Sequence, residues 1–221
     1  KVTARFADSV LVSVQGSLPG TTLALPLRSA IAHLDRVAMR TSARDYFGLN
    51  HADPVLLVFG GSQGAQHINA VLAESLQGLL AQGIEVLHAY GNKNQAPDPT
   101  PGYIAVPYLD RMDLAYAAAD LGLTRAGAMT VAEVAAVGLP SIFVPLAIGN
   151  GEQRLNALPL VGAGGGLVIE NAALTAEWLT STVLDLVKDS DALQSMSQAA
   201  AQYGVRDSAT RLATEVLRVA A

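Results

Sequence analysis

Three glycine-centred turns in this sequence gather residues able to bind an anion or read hydroxyl groups. The first, Gly60-Gly61-Ser62-Gln63-Gly64, stands between the apolar run Val55 to Phe59 and a helical pattern. Such a turn exposes backbone N–H groups at the positive end of a helix dipole, and glycine admits a phosphate without a Cβ clash. Three outcomes stay open: a dinucleotide, the diphosphate of a nucleotide sugar, or no ligand, the glycines then serving only the turn. A dinucleotide fingerprint needs glycine where Phe59 stands, and the next strand ends in His88-Ala89-Tyr90 with no acidic residue for a ribose. No Lys-Ser or Lys-Thr follows, so a nucleoside-triphosphate loop fails as well.

The second turn lies in Thr124 to Pro140. Gly127 permits a tight turn, and Thr130-Val131-Ala132-Glu133 fits a capping box, in which Glu133 only closes its helix onto Thr130. The functional alternative has the helix start face a ligand, with the Glu133 carboxylate accepting hydrogen bonds from a diol such as a ribose. The third turn is Gly149-Asn150-Gly151, followed by Glu152, Gln153 and Asn156. Glu152 and Asn156 are four apart and share a helix face, so the cluster is either ordinary helix-start polarity or a reader of sugar hydroxyls. All three turns fall at the carboxyl ends of expected strands, where open α/β sheets bind ligands.

The elements that must position these turns alternate. Strands are expected near 55–59, 84–90, 103–107, 120–124, 141–145 and 166–170, with helices between them, which predicts a parallel sheet wrapped by helices. Val55 to Phe59 and Ser141 to Val144 are continuously apolar, as strands buried on both faces should be. Before them come a short strand over Ser9 to Val14, an apolar piece over Leu23 to Leu27 and one helical stretch from Ser29 to Phe47. Arg36, Arg40 and Arg44 on that stretch read as a solvated face. Arg28 follows Pro26 at a strand end and reads instead as a ligand contact. A helix over Asp191 to Tyr203 precedes Asp207 to Ala221, whose apolar spacing suits covering the sheet or reaching another domain.

Composition limits the partners. With 51% hydrophobic and 15% charged residues, a net charge of −5 and lysine only at Lys1, Lys93 and Lys188, no broad positive field draws nucleic acid. Zero cysteines leave no disulfide or thiol nucleophile and fit a reducing, cytoplasmic compartment. No apolar stretch reaches the ~18 residues of a spanning helix. The start, without Met, h-region or cleavage site, reads as the middle of a longer protein rather than a signal peptide. His33, His51, His67 and His88 lack metal spacing and Asp110 and Asp113 read as helix caps, so no metal site is expected.

With these motifs in order, the sequence resembles the carboxyl-terminal half of the MurG-type glycosyltransferases, which convert lipid I to lipid II in peptidoglycan synthesis. The resemblance rests on Gly60 to Ala65, Pro107-Tyr108-Leu109-Asp110, Arg125 to Glu133, and Gly151 to Ala157, and runs from about Thr22 to the end. The wording Gly149 to Ala157 is most similar to actinobacterial members. The resemblance implies a Rossmann-like parallel sheet flanked by helices, the C-terminal donor-binding domain of a two-domain GT-B enzyme that is inverting and metal-independent, with no cofactor. By position it implies that Gly61, Ser62, Gln63 and Gly64 hold the diphosphate of UDP-N-acetylglucosamine and that Leu109 contacts uracil through its backbone. Ala128, Met129 and Thr130 would present the helix start to the donor, Glu133 would hold the ribose, and Glu152, Gln153 and Asn156 would read the sugar. Arg28 matches the arginine ending the family's Gly-Asn-Pro-x-Arg segment, although Ala24-Leu25 replaces its Gly-Asn, and Glu152 replaces a glutamine of many relatives.

The resemblance also divides the chain. Residues 1–20 would be a remnant of an amino-terminal acceptor domain, 21–50 an interdomain segment and helix, 51–205 the donor domain and 206–221 a C-terminal helix. The lipid I site, the catalytic base and the membrane-facing patch would belong to that amino-terminal domain, with the parent protein peripheral at the cytoplasmic face of the plasma membrane. Two other readings share the architecture or the ligand: a non-hydrolysing UDP-N-acetylglucosamine 2-epimerase, and a nucleotide-sugar binding module without chemistry.

Overall fold

The computed structural model describes residues 7, 9–13, 19–61, 65–146 and 151–220. Two short strands come first, β1 (Leu11–Val12) and β2 (Thr21–Thr22), paired in parallel. Among the described residues of Ser9 to Val14 the strand is Leu11–Val12 alone, and Leu23 N still donates to Val12 O at 2.8 Å before Ala24 to Leu27 run on outside the pair. The expected single helix over Ser29 to Phe47 is two, α1 (Ser29–Ala32) and α2 (Arg36–Phe47). Asp35 causes the break: its carboxylate accepts from Ala38 N at 3.0 Å and starts α2 afresh as a side-chain cap.

The arginines of α2 are not a solvated face. Arg44 is fully buried and donates to the carbonyls of Ala118, Asn50 and Asp53 and to Asp120 Oδ2 at 2.7–3.1 Å. Arg40 reaches Asp120 Oδ1 at 2.7 Å. Arg36 donates to the carbonyls of Tyr116 (2.9 Å) and Ala119 (2.6 Å), and to that of Gly138. Spacing alone matched an amphipathic surface, whereas these guanidiniums satisfy carbonyls that helix ends leave without intrahelical partners.

The main sheet has six parallel strands in the order β5-β4-β3-β6-β7-β8. They are β3 (Val55–Phe59), β4 (Glu85–Ala89), β5 (Tyr103–Val106), β6 (Leu121–Thr124), β7 (Ser141–Phe143) and β8 (Gly166–Val168). Each falls within its sequence-expected window, and every residue of β3 is buried, as its continuous apolar run requires. Helices α3 (Gln66–Leu80), α4 (Met112–Ala118), α5 (Ala128–Val137) and α6 (Glu152–Gly162) follow β3, β5, β6 and β7. After β8 come α7 (Ala176–Lys188), α8 (Ser190–Tyr203) and α9 (Ser208–Ala220).

Alternate residues of β3 divide the core in two. Val55, Leu57 and Phe59 join Ala43 of α2, Tyr116 of α4 and Val134 of α5 on one face. Leu56 and Val58 join Ile68 of α3 and Val183 of α7 on the other. The result is a three-layer sandwich, in which each fully buried aliphatic side chain contributes about 1.5–3 kcal/mol. Helix α9 leaves Val216 and Leu217 exposed, and Ser9 Oγ donates to its Glu215 at 2.9 Å.

Candidate functional site

Strand order reverses between β3 and β6: from β3 the chain winds outward to β4 and β5, and from β6 to β7 and β8. Phe59 and Thr124, the last residues of the two central strands, are in register. The loops beyond them therefore diverge and open a crevice, the place where such sheets take ligands. Two cavities lie in this crevice and share Gly61 and Thr130 as walls.

The larger, of about 480 Å³, is bounded by Gly60, Ala65 and Gln66 at the start of α3, Gly127 at the start of α5, and Arg125 and Gln153. The N-cap residues of the four helices that follow β3, β5, β6 and β7, namely Ala65, Arg111, Gly127 and Gly151, make no side-chain cap. Elsewhere Asp35, Thr175 and Asp189 cap α2, α7 and α8. First-turn amides of α3 and α5 are thus available at the crevice, where the helix dipoles favour an anion. Arg125 adds positive charge there, held by Val144 O at 3.0 Å and Asn171 Oδ1 at 2.6 Å. Gln153 accepts from Leu146 N at 2.9 Å, so chiefly its N–H groups remain to offer a ligand.

The smaller cavity, of about 150 Å³, is walled by Phe59, Leu109, Met112, Tyr116, Thr130 and Glu133. Its walls are mostly apolar, and its one carboxylate is Glu133, only 7% exposed. Glu133 does not close a capping box. Helix α5 begins at Ala128, so Thr130 is already inside it and cannot be its cap. Instead Glu133 Oε2 accepts from Tyr116 Oη at 2.8 Å and Oε1 faces Arg28 Nη2 at 3.4 Å. Arg28 follows an extended segment rather than a strand, and its side chain is 61% exposed. Asp110 does not hold the cap position of α4, which is Arg111; Asp113 lies in the first turn, where its carboxylate takes the Leu114 amide and pairs with Arg111 at 2.6 Å.

The structure brings Gly61, Leu109, Thr130, Glu133 and Gln153 to the two cavities, with Arg28 at the edge through Glu133. Met129 is exposed in the first turn of α5, and Glu152 is exposed at the start of α6. Ala128 and Asn156 line a third cavity of about 740 Å³, with Leu23, Ala24 and Tyr203, and Asn156 donates to Ala126 O at 3.1 Å. Ser62, Gln63, Gly64, Gly149 and Asn150 lie outside the described residues. Sequence reasoning did not single out Tyr116, whose one signal was a lone large polar ring in the run Leu114-Ala115-Tyr116-Ala117-Ala118. Among the described residues no group of three or more His, Asp or Glu gathers as a metal site, and no helix is long and apolar enough to cross a membrane.

The profile of the glycosyltransferase family 28 C-terminal domain matches residues 55–212, which contain the sheet and both cavities. The chain belongs to that family. Two curated relatives of this family 28 chain are named UDP-N-acetylglucosamine--N-acetylmuramyl-(pentapeptide) pyrophosphoryl-undecaprenol N-acetylglucosamine transferase. That from Mycobacterium sp. (strain KMS) is 54% identical and that from Mycolicibacterium vanbaalenii 55% identical, each over 227 residues and the whole of this chain. The chain spans 61% and 57% of their respective lengths. Among solved structures, MurG of Acinetobacter baumannii matches with a TM-score of 0.74 at 24% identity, covering 97% of this chain and 61% of that one. CalG4, the calicheamicin glycosyltransferase, matches with a TM-score of 0.59 at 25% identity over 76% of this chain and 42% of that one. The fold expected from the sequence, the parallel-sheet C-terminal domain of a GT-B glycosyltransferase, is the fold found.

Proposed function

We propose that this family 28 chain is the donor-binding part of an inverting transferase that moves N-acetylglucosamine from UDP-N-acetylglucosamine to lipid I, forming lipid II for peptidoglycan. One observation carries the reading: an anion-favouring cavity and an apolar cavity holding a single buried carboxylate share the walls Gly61 and Thr130 at the switch point. That pairing suits a diphosphate joined to a nucleoside. Uracil packs beside Leu109 and takes hydrogen bonds from the backbone there, and the ribose diol donates to Glu133. The diphosphate lies against Gly61 and the first-turn amides of α3 and α5, with Ser62, Gln63 and Gly64 completing the loop by sequence. Met129 and Thr130 stand at the helix start, Gln153 and Glu152 read the sugar, and Ala128 and Asn156 line the neighbouring cavity beside Leu23 and Tyr203. Arg28 tethers Glu133 and lies at the donor's edge.

In the reaction the acceptor hydroxyl oxygen attacks C1 of N-acetylglucosamine from the face opposite the diphosphate. The bond between C1 and the phosphate oxygen breaks, its electron pair stays on UDP, and the hydroxyl proton passes to a base. Preorganised amides and helix dipoles stabilise the charge growing on the leaving diphosphate. Lipid I, the base and the attachment to the cytoplasmic face of the membrane are assigned to the remainder of a longer protein, as the lengths of the curated relatives suggest. The identity to enzymes named as transferases favours this reading over an epimerase or a non-catalytic module. Titrating the full chain with UDP-N-acetylglucosamine tests it.

A further inference from the structure

Tyr116 is fully buried in α4, among Ala115, Ala117 and Ala118. A phenylalanine would fill the same space, so packing alone does not call for the hydroxyl. Among the described residues that hydroxyl's partner is Glu133 Oε2, at 2.8 Å. One further contact holds the ring and one holds the backbone. Phe59 packs edge-on against it at 6.0 Å between centroids, and Arg36 Nε donates to the Tyr116 carbonyl at 2.9 Å. Arg36 also bonds Ala119 O, so the end of α4 that carries Tyr116 is clamped.

A carboxylate offers about four lone-pair sites. Tyr116 takes one on Oε2, Arg28 approaches Oε1 from its exposed side, and about two remain for a ligand in the cavity that Glu133, Phe59 and Tyr116 share. Two is the number a vicinal diol needs. We propose that Tyr116 is a positioning residue, whose hydroxyl pins Oε2 of Glu133 and so aims the remaining lone pairs at the 2′- and 3′-hydroxyls of the donor ribose. The inference rests on the donor-site reading above and extends it to a residue that acts on the ribose through Glu133. Burial and the neighbouring carboxylate push the Tyr116 phenol well above its ordinary pKa, so it stays a donor at every working pH.

The test compares UDP with 2′,3′-dideoxy-UDP by calorimetric titration of the full chain and its variants. The wild-type chain binds UDP more tightly than the dideoxy analogue. Tyr116→Phe lowers UDP affinity roughly three- to tenfold, less than the loss of a ligand's own hydrogen bond to a charged group because Glu133 stays and only its aim is released, and dideoxy-UDP affinity less than twofold. In a Glu133→Ala background the same change adds no further loss for UDP. Equal losses for the two ligands, unchanged UDP affinity, or a full additional loss without Glu133 overturns the proposal while leaving the donor site standing. No wild-type preference for UDP overturns both. Should Tyr116→Phe fail to fold, 3-fluorotyrosine at position 116 keeps the hydroxyl and gives a 19F resonance. That resonance moves on adding UDP and not dideoxy-UDP; equal shifts contradict the proposal.

Discussion

Tyr116 and Glu133 lie 17 residues apart, on α4 and α5, and meet where the Tyr116 hydroxyl donates to Glu133 Oε2 at 2.8 Å. That contact turns a mid-helix glutamate into a fixed wall of the smaller cavity. Glu133→Ala is therefore expected to weaken UDP by roughly ten- to a hundredfold, the range for hydrogen bonds to a charged group, and inorganic pyrophosphate less than twofold. Calorimetry with both ligands checks this. Equal losses return Glu133 to a structural role beside Tyr116.

Gly61 stands at φ +85°, in the left-handed region, with open space where a Cβ would project. An alanine there meets no clash but carries about 1–2 kcal/mol of backbone strain. It also narrows the junction of the two cavities. Gly61→Ala should lower the melting temperature by roughly 2–8 °C and weaken UDP as well. A melting temperature unchanged within 1 °C, on the same scale of about 2–4 °C per kcal/mol, contradicts the strained conformation.

Buried Arg44 and half-buried Asp120 pair at 2.8 Å below the amino ends of the central strands, where Asp120 also accepts from Val55 N at 2.8 Å. Arg44→Met removes four hydrogen bonds, strands the carbonyls of Ala118, Asn50 and Asp53, and should cost about 3–5 kcal/mol in urea unfolding. A cost below about 0.5 kcal/mol would mark a surface arginine.

His88 is buried at the end of β4. Its Nε2 donates to Asn69 Oδ1 at 3.0 Å and its Nδ1 accepts from Tyr103 Oη at 2.6 Å, with Asn69 Nδ2 committed to Tyr90 O. Burial holds its pKa down at about 4, against 6.5 when unfolded. The unfolded chain thus binds more protons between these values. The contribution is complete above pH 6.5 and is lost as pH falls to 4, roughly 3 kcal/mol in all. Urea unfolding of His88→Gln from pH 7.5 to 4 should show a shallower loss than the parent chain. Parallel curves would contradict a neutral buried His88.

The strands were legible because burial on both faces leaves a continuous apolar run, as in Val55–Phe59, and the turn at Gly127 because glycine punctuates the end of β6. The α2 arginines were not. Their i, i+4, i+8 spacing matches a solvated face, and their partners, Ala118, Ala119 and Asp120, come more than 70 residues later. Thr130 to Glu133 spelled a capping box, but Gly127 starts α5 earlier and frees Glu133 for Tyr116. Gln153 and Asn156 stand three apart near the start of α6, yet less than one turn, about 4.5 Å of rise, is enough to put them in different cavities. Local pattern gives the elements, and such long-range partners decide what a polar residue does.

The most direct measurement is calorimetric titration of the full chain with UDP-N-acetylglucosamine and UDP, with no metal added. Saturable one-to-one binding of both, with dissociation constants below 1 mM by the usual affinity scale of about −4 kcal/mol at that point and mutual competition, is the expected result. No detectable binding of either ligand at millimolar concentration would contradict the donor site.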